Sequence, residues 1–379
     1  PTGRAALMSR ERILEARDLL VHRGATRVLD IPELDLRVGE VLALMGPNGA
    51  GKTTLMLTLA GLLAPTAGSV LFRGSALQAK GDREAFRRRT TMVFQDPLLF
   101  DATVAQNIAA GLKLRGLSAH ERKPRVTAWA ERLGLGSLLD RPARQLSGGE
   151  AQRTALARAF VLNPEILFLD EPFAALDPQA REGLIGDLGH LLAETGTTAV
   201  IATHDQGEAT RLAHRLAVMR EGRILQRGGL RKVTNHPEDP FVAAFVGMET
   251  LLKGQVTECR EGLLTLRIRK GTGNGEVVAL GEAEPGQTAL VGVRPEHVSL
   301  SLHSDNTSSA RNAFPGAVTK VIPRGPFFKV ELDCGFFLAA FVTAQSLSEL
   351  GLRPGCPVVA SFKATSVHLI RKEGLAPEL

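Results

Sequence analysis

Four short runs before residue 203, at 41–45, 91–94, 166–169 and 198–202, are apolar at almost every position. A continuous apolar run of this length reads as a strand covered on both faces, the pattern of a mostly parallel sheet. Helical spacing of apolar residues separates the runs, so the region is read as α/β, with its chemistry expected at the carboxyl ends of the strands. From about residue 100 to 160 the pattern is almost purely helical, clearest at 126–133 and 150–162, which predicts a helical subdomain over about 97–162. After Gly247 the texture changes to short strand-like runs broken by Gly271-Thr272-Gly273-Asn274-Gly275 and Glu284-Pro285-Gly286, the signature of a small all-β barrel. The expected organisation is a tail over 1–10, whose residues ahead of Met8 are read as a remnant foreign to the fold, an α/β domain over 11–247, and a barrel over 248–379. The polar stretch Ser304-Asp305-Asn306-Thr307-Ser308-Ser309 is read as a loop within the barrel region.

Composition narrows the class. At 379 residues the chain exceeds one typical domain, and 44% apolar with 23% charged residues describes a folded chain and excludes a disordered one. The 46 basic and 40 acidic residues leave a net +6, which suits phosphates, an anionic membrane surface or nucleic acid without choosing among them. Cys259, Cys334 and Cys356 are odd in number and lack C-x-x-C spacing, so neither a disulfide framework nor a zinc site is expected, and a reducing cytosol fits. No apolar stretch approaches the length needed to span a bilayer, so any membrane role is expected to be peripheral.

The apolar run 41–45 feeds Gly46-Pro47-Asn48-Gly49-Ala50-Gly51-Lys52-Thr53-Thr54, a complete G-x-x-x-x-G-K-[ST] phosphate-binding loop. Its glycines let successive backbone N–H groups face phosphate oxygens, Lys52 reaches the β- and γ-oxygens, and Thr53 offers a hydroxyl to Mg²⁺. The helix that begins at Thr54 adds its positive terminus. Nucleoside triphosphate binding follows. A second landmark, Ile166-Leu167-Phe168-Leu169-Asp170-Glu171, ends a buried strand in two carboxylates. Asp170 suits the metal and Glu171 the attacking water, because adjacent residues project differently. A third, Gln145-Leu146-Ser147-Gly148-Gly149-Glu150, opens an amphipathic helix with a serine and two glycines, a second anion-binding helix terminus that one γ-phosphate cannot easily share with the first in a single protomer.

With these three landmarks the chain resembles the ATP-binding cassette ATPases, whose signature is Leu-Ser-Gly-Gly-Gln/Glu. The resemblance covers roughly residues 12–247 and includes Gln95 in Val93-Phe94-Gln95-Asp96, Asp177 in Ala174-Ala175-Leu176-Asp177, and His204 in Thr203-His204-Asp205. It implies a P-loop NTPase fold, a RecA-like core with an inserted helical subdomain, that uses ATP and Mg²⁺. It also implies a homodimer in which Ser147, Gly148 and Gly149 of one subunit close over the nucleotide on the other's phosphate loop. On this reading Gln95 joins Thr53 and Asp170 at the metal and senses the γ-phosphate. His204 orients Glu171 and water, and Asp177 sits near the subunit seam. The chain departs from the family in having no tyrosine to stack on adenine; the matching region reads Val21-His22-Arg23-Gly24, which leaves His22 or Arg23 for that role.

The short separation of Lys52 from Ser147, without sustained heptads, excludes the long coiled coil of the DNA-repair relatives. A soluble subunit docking on a separate permease dimer at the cytoplasmic face of the cell membrane is therefore expected, served indirectly by an extracytoplasmic solute-binding protein. Leu98, Leu99 and Phe100 read equally as core or as permease contact. In the C-terminal region, Leu290-Val291-Gly292-Val293-Arg294-Pro295-Glu296-His297-Val298 resembles the regulatory barrel of importer ATPases. The segments around Ser309-Ala310-Arg311-Asn312 and Lys363-Ala364-Thr365-Ser366 resemble more narrowly the molybdate/tungstate-binding barrel, of the OB-like TOBE or Mop type. Ser309, Arg311, Lys363, Thr365 and Ser366 are thus candidate contacts for a regulatory oxyanion, since hydroxyls, amides and cations replace water around a dianion. The reading is an importer ATPase for tungstate or molybdate. The alternatives are another solute, such as sulfate, sugar, polyamine or iron, and a soluble ATPase acting on nucleic acid, which is the less favoured.

Overall fold

The computed structural model of the chain describes residues 11–270, 273–303 and 309–370. The tail 1–10, Gly271-Thr272 of the expected turn and Ser304 to Ser308 of the expected loop lie outside the described residues. Two compact units divide at Leu230 and Arg231. The expected boundary near Gly247 is thus too late. Helices that composition assigned to the first domain pack within the second unit: the Arg294 guanidinium donates to the Thr234 carbonyl at 2.6 Å, and Ala243, Met248, Leu290 and Ile370 form one apolar cluster.

In the first unit the elements run β1 (Arg12–Arg23), β2 (Thr26–Arg37), β3 (Val41–Met45), α1 (Lys52–Leu59), β4 (Ala67–Phe72), β5 (Ser75–Ala76), α2 (Lys80–Arg89), β6 (Thr90–Val93), α3 (Val104–Leu114), α4 (Ala119–Arg132), α5 (Gly148–Phe160), β7 (Ile166–Asp170), α6 (Pro178–Thr195), β8 (Thr198–Thr203), α7 (Gln206–Leu212), β9 (Arg215–Arg220) and β10 (Arg223–Gly229). A six-stranded sheet has the order β10-β9-β3-β8-β7-β6, parallel except for β10 at its edge. Successive residues of its strands alternate between two cores, as the pleat requires. Leu167, Leu169, Ala199 and Ile201 meet Ile108, Leu112, Phe160 and Leu188 of the helices. Ile166, Phe168, Val200 and Ala202 meet Leu55 and Met56 of α1 together with Ile13, Leu19 and Ile31. Burial on both faces explains the continuous apolar runs. The residues on β1 and β2 belong to a second, antiparallel sheet of order β2-β1-β4-β5, which the periodicity did not announce.

The predicted helical stretch resolves into three helices, each opened by a reciprocal capping box: Thr103 with Gln106, Ser118 with Glu121, and Ser147 with Glu150.

The second unit holds α8 (Leu230–Asn235, beginning at the division), α9 (Pro240–Phe245), β11 (Thr250–Arg260), β12 (Leu263–Lys270), β13 (Gly273–Leu280), β14 (Thr288–Val293), β15 (Ser299–Ser301), β16 (Asn312–Arg324), β17 (Phe327–Asp333), β18 (Phe337–Thr343), α10 (Ala344–Glu349), β19 (Pro357–Phe362) and β20 (Val367–Ile370). A single small barrel was expected. Instead a closed barrel β11-β12-β13-β20-β14 accompanies a five-stranded sheet β15-β19-β16-β17-β18, and the two share one core. Closure depends on β20, which pairs parallel to β13 and antiparallel to β14. Local alternation predicts strands but not such remote partners.

Candidate active site at the carboxyl ends of the parallel strands

Because β3, β6, β7 and β8 are parallel, the segments leaving them emerge on one side of the sheet. β3 leads into the phosphate loop, β7 ends on Asp170 and Glu171, β8 precedes His204, and Gln95 lies exposed just beyond β6. The loop needs glycine for two separate reasons. A Cβ at Gly46 would stand 2.4 Å from the Met219 carbonyl oxygen, and Gly51, the N-cap of α1, has φ +97° with Leu29 pressed against it. Around Gly49 (φ +81°) there is open space, so its backbone is exposed to a ligand rather than squeezed by the fold.

The buried Lys52 ammonium donates to the carbonyls of Gly46 at 2.8 Å and Pro47 at 3.2 Å, and lies 3.4 Å from Oε1 of Glu171. The other oxygen of Glu171 lies 3.4 Å from Nδ1 of His204, whose side chain is 56% exposed. Glu171 is therefore held between a buried cation and an accessible imidazole. Its backbone takes φ +44°, in the left-handed region, and is pinned there by its N–H donating to the Ala202 carbonyl at 3.0 Å. A left-handed non-glycine residue costs about 1–2 kcal/mol, and such strain concentrates where geometry matters for function.

Asp170, 6% exposed, accepts a hydrogen bond from the Thr53 hydroxyl. Burial pushes its carboxyl above the usual carboxylate range; the Thr53 bond opposes that shift, Glu171 adds to it and Lys52 offsets it. A hard hydroxyl oxygen beside a carboxylate that burial penalises is the donor set a Mg²⁺ ion suits, with phosphate and water oxygens completing its shell. Among the described residues no cluster of three or more His, Cys, Asp or Glu competes for a metal.

At the second helix terminus, exposed Ser147 caps α5, accepting from the Glu150 N–H at 3.3 Å while its own N–H donates to Glu150 at 2.8 Å. That backbone bond is the main cause holding the Glu150 carboxyl below the usual range. A Cβ on Gly148 or Gly149 would meet only ordinary contacts, at 3.6 Å from the Ala175 carbonyl and 3.5 Å from Ala180. Among the described residues, no contact demands glycine at either position. Asp177 caps α6, accepting from Gln179 at 3.1 Å and Ala180 at 2.9 Å. His22 and Arg23 are exposed at the end of β1, with the His22 N–H donating to Thr66 at 3.0 Å.

Leu98 and Phe100 are 62% and 58% exposed, whereas Leu99 packs against the helical core. Sequence reasoning missed Arg158, which donates to the Leu98 carbonyl at 2.9 Å and the Pro97 carbonyl at 2.8 Å and lies over the Phe100 ring at 5.7 Å. Burial lowers its pKa. No local signal distinguishes this arginine from any other in an amphipathic helix.

The C-terminal candidates are less assembled. Pairing of Asn312 with Phe362 sets Arg311 and Lys363 at adjoining positions at the end of the β16–β19 ladder. Arg311 lines a cavity of about 630 Å³ with Glu258, Arg260, Glu261, Leu263, Thr265 and Val278. Lys363, Thr365 and Ser366 do not line it; they surround a single helical turn in which the Ser366 N–H donates to the Lys363 carbonyl at 3.0 Å. Ser309 is exposed. Arg260 and Arg311 balance the two glutamates of the cavity, and because the other candidates lie outside it, the five residues do not form one closed oxyanion cradle.

Residues 29–174 match the family model for the ABC transporter, and residues 308–369 match that for the TOBE domain. The chain is 38% identical over 343 residues to the molybdate/tungstate import ATP-binding protein WtpC of Pyrococcus horikoshii, covering 88% of this chain and 93% of that one. It is 37% identical over 314 residues to the spermidine/putrescine import ATP-binding protein PotA of Trichodesmium erythraeum, covering 80% of each. Among solved structures, a dimeric post-hydrolysis ATP-binding cassette bound to ADP and phosphate aligns with TM-score 0.54 at 28% identity, over 58% of this chain and 99% of that one.

Proposed function

Because this chain belongs to the ATP-binding cassette transporter family, we propose that it is the ATP-hydrolysing subunit of an importer, a homodimer docked on a membrane permease, with tungstate or molybdate as cargo. The observation that carries the enzymatic part is the Glu171 carboxylate held 3.4 Å from both Lys52 and His204 at the strand ends. A triphosphate in the loop offers Lys52 charged oxygens, stronger acceptors than the Gly46 and Pro47 carbonyls, and so draws it from Glu171. Glu171 is then free to accept a proton from water, and His204 donates to phosphate and orients that carboxylate. Thr53, Asp170 and Gln95 hold Mg²⁺, which when bound neutralises phosphate charge. Ser147, Gly148 and Gly149 of a second copy close over the γ-phosphate, Asp177 lies at the seam, and His22 or Arg23 packs on adenine. Closure passes to the permease through the exposed Leu98 and Phe100.

The cargo reading rests on similarity to WtpC along 93% of its length. In this reading a regulatory oxyanion that holds the dimer open is contacted either by Arg311 in its cavity or by the turn of Lys363, Thr365 and Ser366. A polyamine is the second reading, favoured by similarity to PotA. ATPase activity of the reconstituted transporter, measured with tungstate, molybdate or spermidine on its solute-binding protein, separates them. Stimulation by the oxyanions supports the first reading, and stimulation by spermidine alone rejects it. Inhibition by oxyanion added on the cytoplasmic side tests the regulatory part, and flat activity at saturation removes it.

A further inference from the structure

His204 sits between two residues that are both tied to a helix outside its own loop. The buried Thr203 hydroxyl donates to Oε2 of Glu208 and accepts from the Asp205 N–H at 2.9 Å. Asp205 in turn accepts from the Glu208 N–H at 3.0 Å. The remaining oxygen of Glu208, a residue only 4% exposed, accepts two hydrogen bonds from Arg181, from Nε at 2.9 Å and from Nη2 at 2.6 Å. Arg181 also lies 2.9 Å from Oδ2 of Asp205. The Arg181 N–H donates to the Asp177 carbonyl at 2.9 Å, so Arg181 stands one turn into the helix that Asp177 caps.

We propose that Arg181 and Glu208 are positioning residues that fix the His204 loop against the first turn of α6, so that His204 aligns with Glu171 only when the Asp177 corner holds its place. The physical reason is the closure of the network. Every polar atom of the Glu208 carboxylate is used, and the arginine fork spans both acidic residues, so the loop cannot shift without exposing a buried charge. Removing one partner of such a pair leaves the other uncompensated, and relaxation falls on the 203–205 backbone, the segment that aims the imidazole. Their hydrogen bonds and ion pairs go to Thr203, Asp205, Asp177 and each other, none of them in the phosphate loop, so ATP binding is expected to survive their loss.

The inference rests on His204 and Glu171 acting in hydrolysis, and the test separates the two. In the intact chain, kcat, KM for ATP, binding of a fluorescent ATP analogue and thermal midpoint are measured for His204→Ala, Glu208→Gln, Arg181→Gln, Arg181→Lys and Arg181→Gln/Glu208→Gln. The expected result is a fall in kcat of about tenfold to a hundredfold for Glu208→Gln and Arg181→Gln, the scale of small misplacements in an active site. KM and analogue binding stay near the parent's, while the thermal midpoint falls, most for Arg181→Gln, which leaves the buried Glu208 carboxylate without its cation. Arg181→Lys restores much of kcat, and the double variant is no worse than the poorer single one. If His204→Ala lowers kcat while Glu208→Gln leaves it within about twofold, the positioning role is overturned. Parallel loss of kcat, analogue binding and thermal midpoint in all the variants, Arg181→Lys included, overturns it in favour of a purely structural pair. An unchanged kcat in His204→Ala removes the catalytic reading itself.

Discussion

The two units treat charge in opposite ways. In the first, parallel strands deliver the phosphate loop, Asp170, Glu171 and His204 to one edge, where Lys52, Glu171 and His204 each have a partner within 3.4 Å. In the second, the candidate anion contacts are spread over an open cavity that carries two glutamates and a separate exposed turn. A sheet with its strands in one direction assembles chemistry as a by-product of its topology, whereas a barrel of antiparallel hairpins sends its loops to both ends. Contact between remote strands is what would have to build a site there.

The largest expected effect tests the assembled side of this contrast. Glu171→Gln should lower ATP hydrolysis about a thousandfold while ATP binding survives, the scale of a lost general base; single-turnover hydrolysis and filter binding measure the two, and equal loss of both would break the assignment. Next in size is a charge network at the opposite end of the same sheet. Arg215 donates to Asp35 at 3.0 Å and to the buried Glu40 at 3.2 Å, and burial leads the causes raising the Glu40 carboxyl. Arg215→Ala should cost about 3 kcal/mol, because it strands the buried Glu40 carboxylate, while Asp35 keeps Arg37 and Arg227 nearby. Urea unfolding followed by circular dichroism reads it, and a loss below about 1 kcal/mol would show that the network relaxes into solvent.

Smaller effects sharpen the second unit. Burial, then the charges of Arg294, His236 and His297, lower His368 from its ordinary 6.5 to about 4. Between those values the unfolded chain binds the proton and the folded one does not, so stability is constant above pH 6.5 and falls as pH drops toward 4. The thermal midpoint of the C-terminal transition should fall across that window, and His368→Phe should flatten it. For the cavity, Glu261→Gln should tighten tungstate binding a few fold if Arg311 meets the anion there, by removing a like charge. Calorimetric titration with no change would move the anion to the Lys363 turn. Smallest of all, His22→Ala with Arg23→Ala should raise KM for ATP about fivefold, the worth of one exposed stacking contact.

What was legible in the sequence follows the same division. The phosphate loop, Asp170 with Glu171, and the Ser147 cap are contiguous, so residue order and strand burial were enough to place them. Gln95 and His204 were named through the family resemblance, and parallel topology explains why both follow strands that end on the side of the sheet where the loop begins. The β1–β2 sheet escaped because its burial is uneven, with exposed and buried residues mixed along both strands. The barrel was foreseen as texture, but its closure by β20 and the second sheet joined to it depend on pairings between residues far apart in the chain. Arg158 and the Arg181–Glu208 pair were invisible for a related reason. Their partners are backbone carbonyls and side chains brought close only by the packed helices.

The central claim is that the phosphate loop is half of a site completed by the exposed Ser147 terminus of a second copy. Differently tagged chains, one carrying Lys52→Ala and the other Ser147→Arg, are each expected to be inactive as homodimers. Purified as a mixed dimer they place both defects in one composite site and leave the other whole. Nucleotide trapping should then recover one occluded ATP per mixed dimer and none in either homodimer. Absence of trapped nucleotide in the mixed dimer would contradict the shared site.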